Sequence, residues 1–180
     1  MRQADDLWVF AYGSLLWNPG IEVAETRLAS LADFRRGFCM WSIHHRGTED
    51  DPGLVLALEP HAGASCTGLA IRAAAPDAAL AYLRERELIS SAYYEQEVTL
   101  LADDGGILTA MAYIINTDHE QYCPDLTLER QAQIMARAVG GRGPNHEYLT
   151  KTAAGLVKLG IRDDDMGWLV ARVQQIMDGT

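Results

Sequence analysis

One carboxylate among apolar positions is the most distinctive chemical feature of the sequence. Residues 76–89 have the spacing of a helix, and at about 100° per residue Glu87 falls between Leu80 and Leu83 on the apolar face. Burial without a cation raises a carboxyl pKa toward neutrality, where the group can both accept and return a proton. Glu87 is therefore a candidate general base. The alternative is an ion pair with the neighbouring Arg84, which would make Glu87 a structural carboxylate.

A glycine follows a short apolar run near the start of the chain. The run at 7–12 has aromatic and β-branched members and predicts a buried strand that turns at Gly13 and Ser14. Glycine at such a turn lets a ligand approach backbone N–H groups, which can hold a carboxylate or a developing oxyanion. The block from Tyr12 to Leu15 is thus a candidate binding loop. The alternative is a plain strand-ending turn in which Ser14 is a cap.

Other familiar catalytic patterns are missing from the sequence. Ser14 does not lie in a G-x-S-x-G nucleophile elbow, and the glycine-rich run at 140–143 lacks the Lys-Ser/Thr of a P-loop, so it predicts a loop. His44 and His45 are adjacent, and adjacent strand residues face opposite sides, so the two side chains are poorly placed to bind one metal ion. Neither H-E-x-x-H nor a cysteine pair is present. We therefore expect no metal site.

The composition is that of a folded protein with an acidic balance. The 180 residues include 15 Lys and Arg against 25 Asp and Glu, a formal net charge of −10, and 48% are hydrophobic. This length and hydrophobic content predict a single domain over residues 1–180. Because proteins grip phosphate backbones with clusters of Lys and Arg, the acidity argues against nucleic acid as a partner.

Membrane insertion and secretion are not expected either. No stretch approaches the roughly 20 apolar residues that cross a bilayer, and residues 1–6 carry no apolar signal segment. We expect no membrane partner and a location in the cytoplasm. The cysteines are widely spaced and are expected to be reduced and mostly buried: Cys39, Cys66 and Cys123.

The elements that must position these residues are short strands followed mainly by helices. Apolar runs separated by turn residues predict strands at 7–12, 38–43, 54–58 and 67–71. A helix is predicted from Pro76 to about residue 89, followed by a hairpin with an Asp-Gly turn, with strands at 93–101 and 107–115. The remainder predicts helices, with caps at Asn145 and at 163–165. This order indicates an α+β domain built on an antiparallel or mixed sheet or barrel.

Several blocks of the sequence resemble one known family. Residues 8–19, which contain the block from Tyr12 to Leu15, resemble the N-terminal signature of the ChaC-type γ-glutamylcyclotransferases. Further blocks follow in the family's order over residues 8–160, at 45–48, 52–54, 83–87 with Tyr93 downstream, and 143–149. The Tyr-Gly-Ser-Leu block is shared by the wider superfamily, whereas the Arg-Glu and Asn-x-Glu-Tyr-Leu blocks are more specific to the ChaC branch.

The resemblance implies both a fold and a reaction. The expected fold is a small β-barrel flanked by helices, and the expected reaction converts glutathione to 5-oxoproline and cysteinylglycine without a cofactor. In that reaction Glu87 would be the acid/base, and Tyr12, Gly13, Ser14 and Leu15 would bind the γ-glutamyl group. Arg46 and Tyr148 are candidate substrate contacts through their family blocks, with a structural hydrogen bond as the alternative for each.

The sequence departs from the family pattern at two places. Ala11 stands where the family commonly has glycine, and residues 88–92 replace the Gly-Gly-Tyr of many eukaryotic members, which resembles the bacterial ChaC subtype. Two other functions remain open. One is a cyclotransferase for other γ-glutamyl amines or dipeptides, and the other is a non-catalytic regulatory protein that binds γ-glutamyl groups.

Overall fold

Five strands close into a barrel in the computed structural model, which describes residues 6–180. In chain order they are β1 (Trp8–Ala11), β2 (Val23–Ser42), β3 (Gly53–Ala73), β4 (Tyr93–Ala102) and β5 (Ile107–Ile115). Around the barrel the order is β1, β3, β2, β4, β5, and β5 returns to β1 as a parallel pair through Val9 and Met111. The barrel is therefore mixed, because β1 pairs with β3 and β4 pairs with both β2 and β5 in antiparallel fashion.

The chain divides into two compact units. Among the described residues, the first unit comprises 6–36 and 58–119, and it holds a 3-10 helix (Ser14–Leu16) and helix α1 (Pro76–Glu87). The second unit comprises Gly37–Ala57 and Glu120–Thr180. It holds helix α2 (Leu128–Arg137), strands β6 (Val139–Gly140) and β7 (Gly143–Pro144), and helices α3 (Asn145–Lys158) and α4 (Asp164–Asp178). A single domain over residues 1–180 stays a prediction.

The core of the first unit comes from alternate residues of the barrel strands. Successive strand side chains point to opposite faces, so every second residue faces inward. The inward positions on β1, β4 and β5 include Trp8, Phe10, Val98, Leu100, Ala110, Ala112 and Ile114. The predicted hairpin is confirmed, with Tyr93 opposite Ile115 at one end and Leu101 opposite Ile107 at the other.

Strands β2 and β3 are much longer than the sequence predicts. The predicted strands at 54–58 and 67–71 are parts of the single strand β3, and the prediction at 38–43 covers only the end of β2. The remainder of β2 is rich in charged residues and has no apolar run. Its charges pair instead, as in the 2.7 Å contact between Arg27 Nε and Glu25 Oε1. Asp33 in β2 and Gly63 in β3 have positive φ, at 65° and 83°, and Asp33 Oδ1 accepts a hydrogen bond from Gly63 N.

Three helices of the second unit confirm the helical prediction for the end of the chain, but one predicted cap is wrong. Asp163 caps α4 by accepting a 3.0 Å hydrogen bond from Met166 N, as predicted. At α3 the cap position belongs to Pro144, and Asn145 turns its side chain to the backbone of Leu54. The sequence pattern could not show this because the partner of Asn145 is distant along the chain.

The glycine-rich run at 140–143 is more ordered than the predicted loop. It forms the pair of short strands β6 and β7, with Gly140 opposite Gly143. Glycine is required at 140, because a Cβ there would lie 2.4 Å from the carbonyl carbon of His45. The backbone N–H groups of Gly141 and Arg142 donate to the carbonyls of His44 and His45.

None of the helices formed by residues 6–180 has both the length and the apolar character required to cross a membrane. The expectation of no signal segment rests on residues 1–6, of which 1–5 lie outside the described residues.

Candidate active site

Helix α1 places the predicted acid/base at its last residue. Leu83, one turn earlier, is fully buried, and the Glu87 side chain is 16% exposed. The helix ends there, where Leu88 N donates to Arg84 O and Leu88 leaves the helical conformation. The carboxylate of Glu87 is therefore half-buried at a fixed helix end, in agreement with its predicted place on the apolar face.

The cation beside Glu87 is Arg86 rather than Arg84. Arg84 makes a two-pronged hydrogen bond with Glu95, from Nε to Oε2 at 3.0 Å and from Nη2 to Oε1 at 2.9 Å. This bond and the charge of Glu95 raise the pKa of Arg84 above its usual value. Arg86 Nε lies 3.4 Å from Glu87 Oε1, and their side chains are 11% and 16% exposed. Arg84 therefore pairs with Glu95, and the alternative in which it pairs with Glu87 is wrong.

Arg86 also joins helix α1 to the predicted binding loop. Its Nη2 donates a 3.1 Å hydrogen bond to Ser14 Oγ. Its Nη1 donates to the carbonyl oxygens of Asn18 at 2.7 Å and Pro19 at 3.4 Å. One guanidinium therefore lies against Glu87 and holds the segment from Ser14 to Pro19. The first unit brings Glu87 and Ser14 together through this residue.

The loop itself is a short 3-10 turn that follows β1. Gly13 precedes the turn, and Leu16 N donates to Gly13 O. The N-cap position belongs to Gly13, and Ser14 is the first residue of the turn, so the alternative in which Ser14 is the cap is wrong. Backbone N–H groups in the first turn of a helix have no acceptor within that helix. The N–H groups of Ser14 and Leu15 occupy this position.

Tyr12 and Leu15 have side chains in the interior of the first unit. Both are buried, at 8% and 7% exposure. The Tyr12 hydroxyl donates a 2.7 Å hydrogen bond to Tyr113 O, and Tyr12 O accepts a 2.7 Å bond from Arg36 Nη1. These contacts fix the point at which the chain leaves β1. Of the predicted binding block, the backbone and Ser14 are the parts best placed to meet a ligand.

A tyrosine and a carboxylate on the β4–β5 hairpin extend the polar cluster. Tyr113 is 1% exposed, and its hydroxyl donates to Glu95 Oε2 at 3.1 Å. Burial, chiefly, and the negative charges of Glu95 and Glu87 raise the pKa of Tyr113 well above its usual value. The phenol therefore keeps its proton to a higher pH than an exposed tyrosine does.

Sequence reasoning assigned no role to Arg86, Glu95 or Tyr113. A signal for two of them was present, because the predicted strands 93–101 and 107–115, if paired end to end, place Glu95 opposite Tyr113, which is the pairing in the structure. Cross-strand partners of this kind lie close enough to interact. The contacts of Arg86 depend on the path of the loop, which no local pattern specifies.

Arg46 and Tyr148 lie together in the second unit. Each is 6% exposed, and the Arg46 guanidinium carbon lies 5.8 Å from the centre of the Tyr148 ring. Arg46 Nη1 donates a 3.2 Å hydrogen bond to Pro144 O, and the Tyr148 hydroxyl accepts a 3.2 Å bond from Leu56 N. These are structural contacts of the kind named as the alternative. Substrate contact by Arg46 and Tyr148 stays a prediction.

No cluster of three or more metal-ligating side chains occurs among residues 6–180. The arrangement around Glu87 instead offers a carboxylate for proton transfer, a guanidinium that orients it, and a backbone turn next to both.

Comparisons with known proteins relate this chain to one family. The family model described as ChaC-like protein matches residues 7–176. An Escherichia coli K12 protein named glutathione-specific gamma-glutamylcyclotransferase is 34% identical over 173 residues, which cover 95% of this chain and 74% of that protein. A rat protein named glutathione-specific gamma-glutamylcyclotransferase 1 is 35% identical over 153 residues, covering 82% and 68% of the two chains.

A solved structure shows the same fold. The crystal structure of a yeast γ-glutamyl cyclotransferase specific to glutathione superposes with a TM-score of 0.87 and covers 98% of this chain and 99% of the yeast chain, at 22% identity. The predicted α+β class and the barrel with helices are thereby confirmed. Because the family model matches residues 7–176, this chain belongs to the ChaC-like protein family.

Proposed function

We propose that this chain is a γ-glutamylcyclotransferase that converts glutathione to 5-oxoproline and cysteinylglycine. The observation that carries the proposal is the half-buried carboxylate of Glu87 at the end of α1, held beside the loop that Arg86 binds. The names of the E. coli and rat relatives support glutathione as the substrate. Membership of the ChaC-like family supports the class of reaction.

The reaction requires positioning and proton transfer rather than a protein nucleophile. In glutathione the α-amine of the γ-glutamyl group attacks its own γ-carbonyl and closes a five-membered lactam. One carbon–nitrogen bond forms, and the amide bond to the cysteine nitrogen breaks. Starting from its ammonium form, the attacking nitrogen loses two protons to become the lactam N–H, and the departing nitrogen gains two to become the ammonium group of the product. Neither water nor a metal is consumed in this step.

Glu87 is suited to both proton transfers. An α-amine has a pKa near 8 and is mostly protonated at neutral pH, so it must lose a proton before it attacks. A carboxylate beside it can take that proton and later deliver one to the leaving nitrogen. The rigid helix end holds Glu87 in place, and Arg86 Nε at 3.4 Å orients its carboxylate.

The loop after β1 supplies the second requirement, which is the folded shape of the substrate. Holding the amine against the γ-carbonyl gives an intramolecular reaction a high effective molarity. The N–H groups of Ser14 and Leu15 are suited to anchor the substrate's α-carboxylate or to stabilise the tetrahedral oxyanion. Arg86 keeps this turn in position through Ser14 Oγ and Asn18 O.

Incubation of the purified protein with reduced glutathione tests the proposal, with 5-oxoproline measured by mass spectrometry. Glu87→Gln is run beside Glu85→Gln, because Glu85 is an exposed acid on the same helix. Product from wild type and Glu85→Gln, but not from Glu87→Gln, supports both the reaction and the role of Glu87.

Two other results would replace the proposal. Product from other γ-glutamyl amines or dipeptides, with none from glutathione, would make the chain a cyclotransferase for another substrate. Saturable binding of glutathione to folded protein without product would favour the regulatory protein. A location in the cytoplasm stays a prediction.

A further inference from the structure

Two cysteines of the second unit face each other across a short antiparallel pairing. Met40, near the end of β2, forms an isolated antiparallel bridge with Tyr122. Next to the bridge, Cys123 N donates a 2.7 Å hydrogen bond to Cys39 O. In an antiparallel register, the neighbours of a bridged pair are themselves directly opposite. Cys39 and Cys123 are therefore cross-strand partners, although they lie far apart in the sequence.

The register places the two thiols within reach of each other. Directly opposite residues point to the same face of a sheet, with Cα atoms about 5.5 Å apart when the pair is hydrogen-bonded. Disulfides usually join Cα atoms about 4.4–6.8 Å apart. The Cβ atoms of a hydrogen-bonded pair lie near the upper end of about 4.5–5.5 Å, which exceeds the roughly 3.8 Å typical of a disulfide. The bond therefore requires the two segments to approach each other, and an isolated bridge resists this less than a long ladder does.

The two thiols also differ in exposure. Cys39 is 4% exposed, whereas Cys123 is partly exposed. Dithiol sites that undergo exchange use an accessible thiol for the first attack and a nearby second thiol for resolution. Cys123 is suited to the first step and Cys39 to the second. Cys66 is 3% exposed, lies in the barrel core of the first unit and takes no part in this pairing.

We propose that Cys39 and Cys123 form a reversible intramolecular disulfide by exchange with a low-molecular-weight disulfide. The Cys123 thiolate attacks one sulfur of the small disulfide, which breaks that bond and releases one thiol. The Cys39 thiolate then attacks the Cys123 sulfur of the mixed disulfide and releases the second thiol. The two cysteines lose two electrons, the small disulfide gains them, and the two protons pass to the released thiols.

Two properties of the bond follow from its location. Because the Cβ separation of the register exceeds the usual value, the bond is expected to be reduced more easily than a typical structural disulfide. Because it closes a long stretch of chain, it restricts the unfolded state strongly. The oxidised protein is expected to melt about 5 °C or more above the reduced protein. Neither property depends on the proposed activity.

The test is a redox titration of the full chain with bis(2-hydroxyethyl) disulfide and 2-mercaptoethanol. After an acid quench and alkylation, intact mass and peptide mapping identify the oxidised species. The expected product has lost two hydrogen atoms and yields one cross-linked peptide that contains Cys39 and Cys123. Cys66→Ala is expected to form it as wild type does, whereas Cys39→Ala and Cys123→Ser form none.

Three results would overturn the proposal. They are a mixed disulfide on Cys123 that persists without a cross-link, a cross-link that includes Cys66, and full alkylation of wild type after treatment with excess small disulfide. Circular dichroism shows which variants are folded. If a variant does not fold, the peptide map of the wild type decides alone. Thermal melting of the oxidised and reduced wild type checks the expected stabilisation independently.

Discussion

Two polar clusters of this protein differ in the roles of their side chains, although blocks of the same family resemblance identify both. In the first unit, Arg86 and Glu87 lie at a helix end with 11% and 16% of their side chains exposed. In the second unit, Arg46 and Tyr148 are each 6% exposed and Asn145 is fully buried. The first cluster lies partly at the surface, and the second lies in the interior.

The hydrogen bonds separate the two clusters further. The Asn145 side chain accepts a 2.8 Å bond from Leu54 N and donates a 2.8 Å bond to Leu54 O, as an adjacent strand would. Tyr148 accepts from Leu56 N in the same strand. Buried polar groups need such partners, and no fully buried side-chain nitrogen or oxygen of residues 6–180 lacks one. A motif residue with this environment is suited to hold a fold together.

The comparison predicts that the first cluster controls turnover and the second controls stability. Glu87→Gln is expected to lower kcat by at least about 10²-fold, because an amide cannot exchange the proton. Its melting temperature is expected to stay within a few degrees of wild type, since the side chain is half-buried and keeps its size. Steady-state kinetics and calorimetry measure both. A Glu87→Gln protein with near-normal kcat would remove the distinction between the clusters.

Asn145→Ala should show the opposite behaviour. The change removes two buried hydrogen bonds and leaves the N–H and C=O of Leu54 without these partners, at a cost of about 2–4 kcal/mol in the free energy of unfolding. Urea denaturation measures this cost. His146, next along the helix and only partly exposed, provides His146→Ala as a control expected to change stability little. Normal stability of Asn145→Ala would contradict the structural role.

Arg86 tests whether the first cluster acts as a unit. Arg86→Met keeps much of the apolar stem but removes the bonds to Ser14 and Asn18. Loss of loop positioning is expected to raise KM about tenfold, with a smaller fall in kcat. Arg84→Met is the matched control, because Arg84 lies two residues earlier on the same helix and binds Glu95 instead. Equal effects on KM from both variants would show that Arg86 has no particular role as a positioning residue.

The fold was more predictable from sequence than the contacts within the site. Local patterns gave α1, the hairpin and the C-terminal helices, because each depends on residues close along the chain. The length of β2 was missed because its charged residues satisfy one another on a strand, which hydrophobic periodicity does not detect. The place of Glu87 followed from helical spacing alone.

The partners of the site residues needed the three-dimensional structure. Asn145 matched a cap pattern, yet its side chain bonds to Leu54, at a distance along the chain that a local rule cannot reach. Arg86 was adjacent to the predicted base but received no role, because its loop partners depend on the path after β1. Only the family resemblance indicates Arg46 and Tyr148 as substrate contacts. A resemblance does not distinguish residues that bind the substrate from residues that support the fold.

Tyr113 combines features of the two clusters, and its substitution has the smallest expected effects. It is as buried as the second cluster, yet its hydroxyl binds Glu95 and its pKa is raised partly by Glu87. Tyr113→Phe is expected to lower stability by about 1 kcal/mol at neutral pH, through loss of one hydrogen bond. A change in kcat of only a few fold is expected, because Tyr113 donates to Glu95 rather than to Glu87.

The pH dependence of Tyr113→Phe provides a sharper measurement. The folded state holds the phenol proton more tightly than the unfolded state, whose tyrosines have a pKa of about 10. The contribution of Tyr113 to stability is therefore complete below about pH 10 and declines as pH rises above it. Wild type should lose stability more steeply than Tyr113→Phe between about pH 10 and 11, as measured by urea denaturation. Parallel curves would show that the folded environment does not hold this proton more tightly than the unfolded chain does.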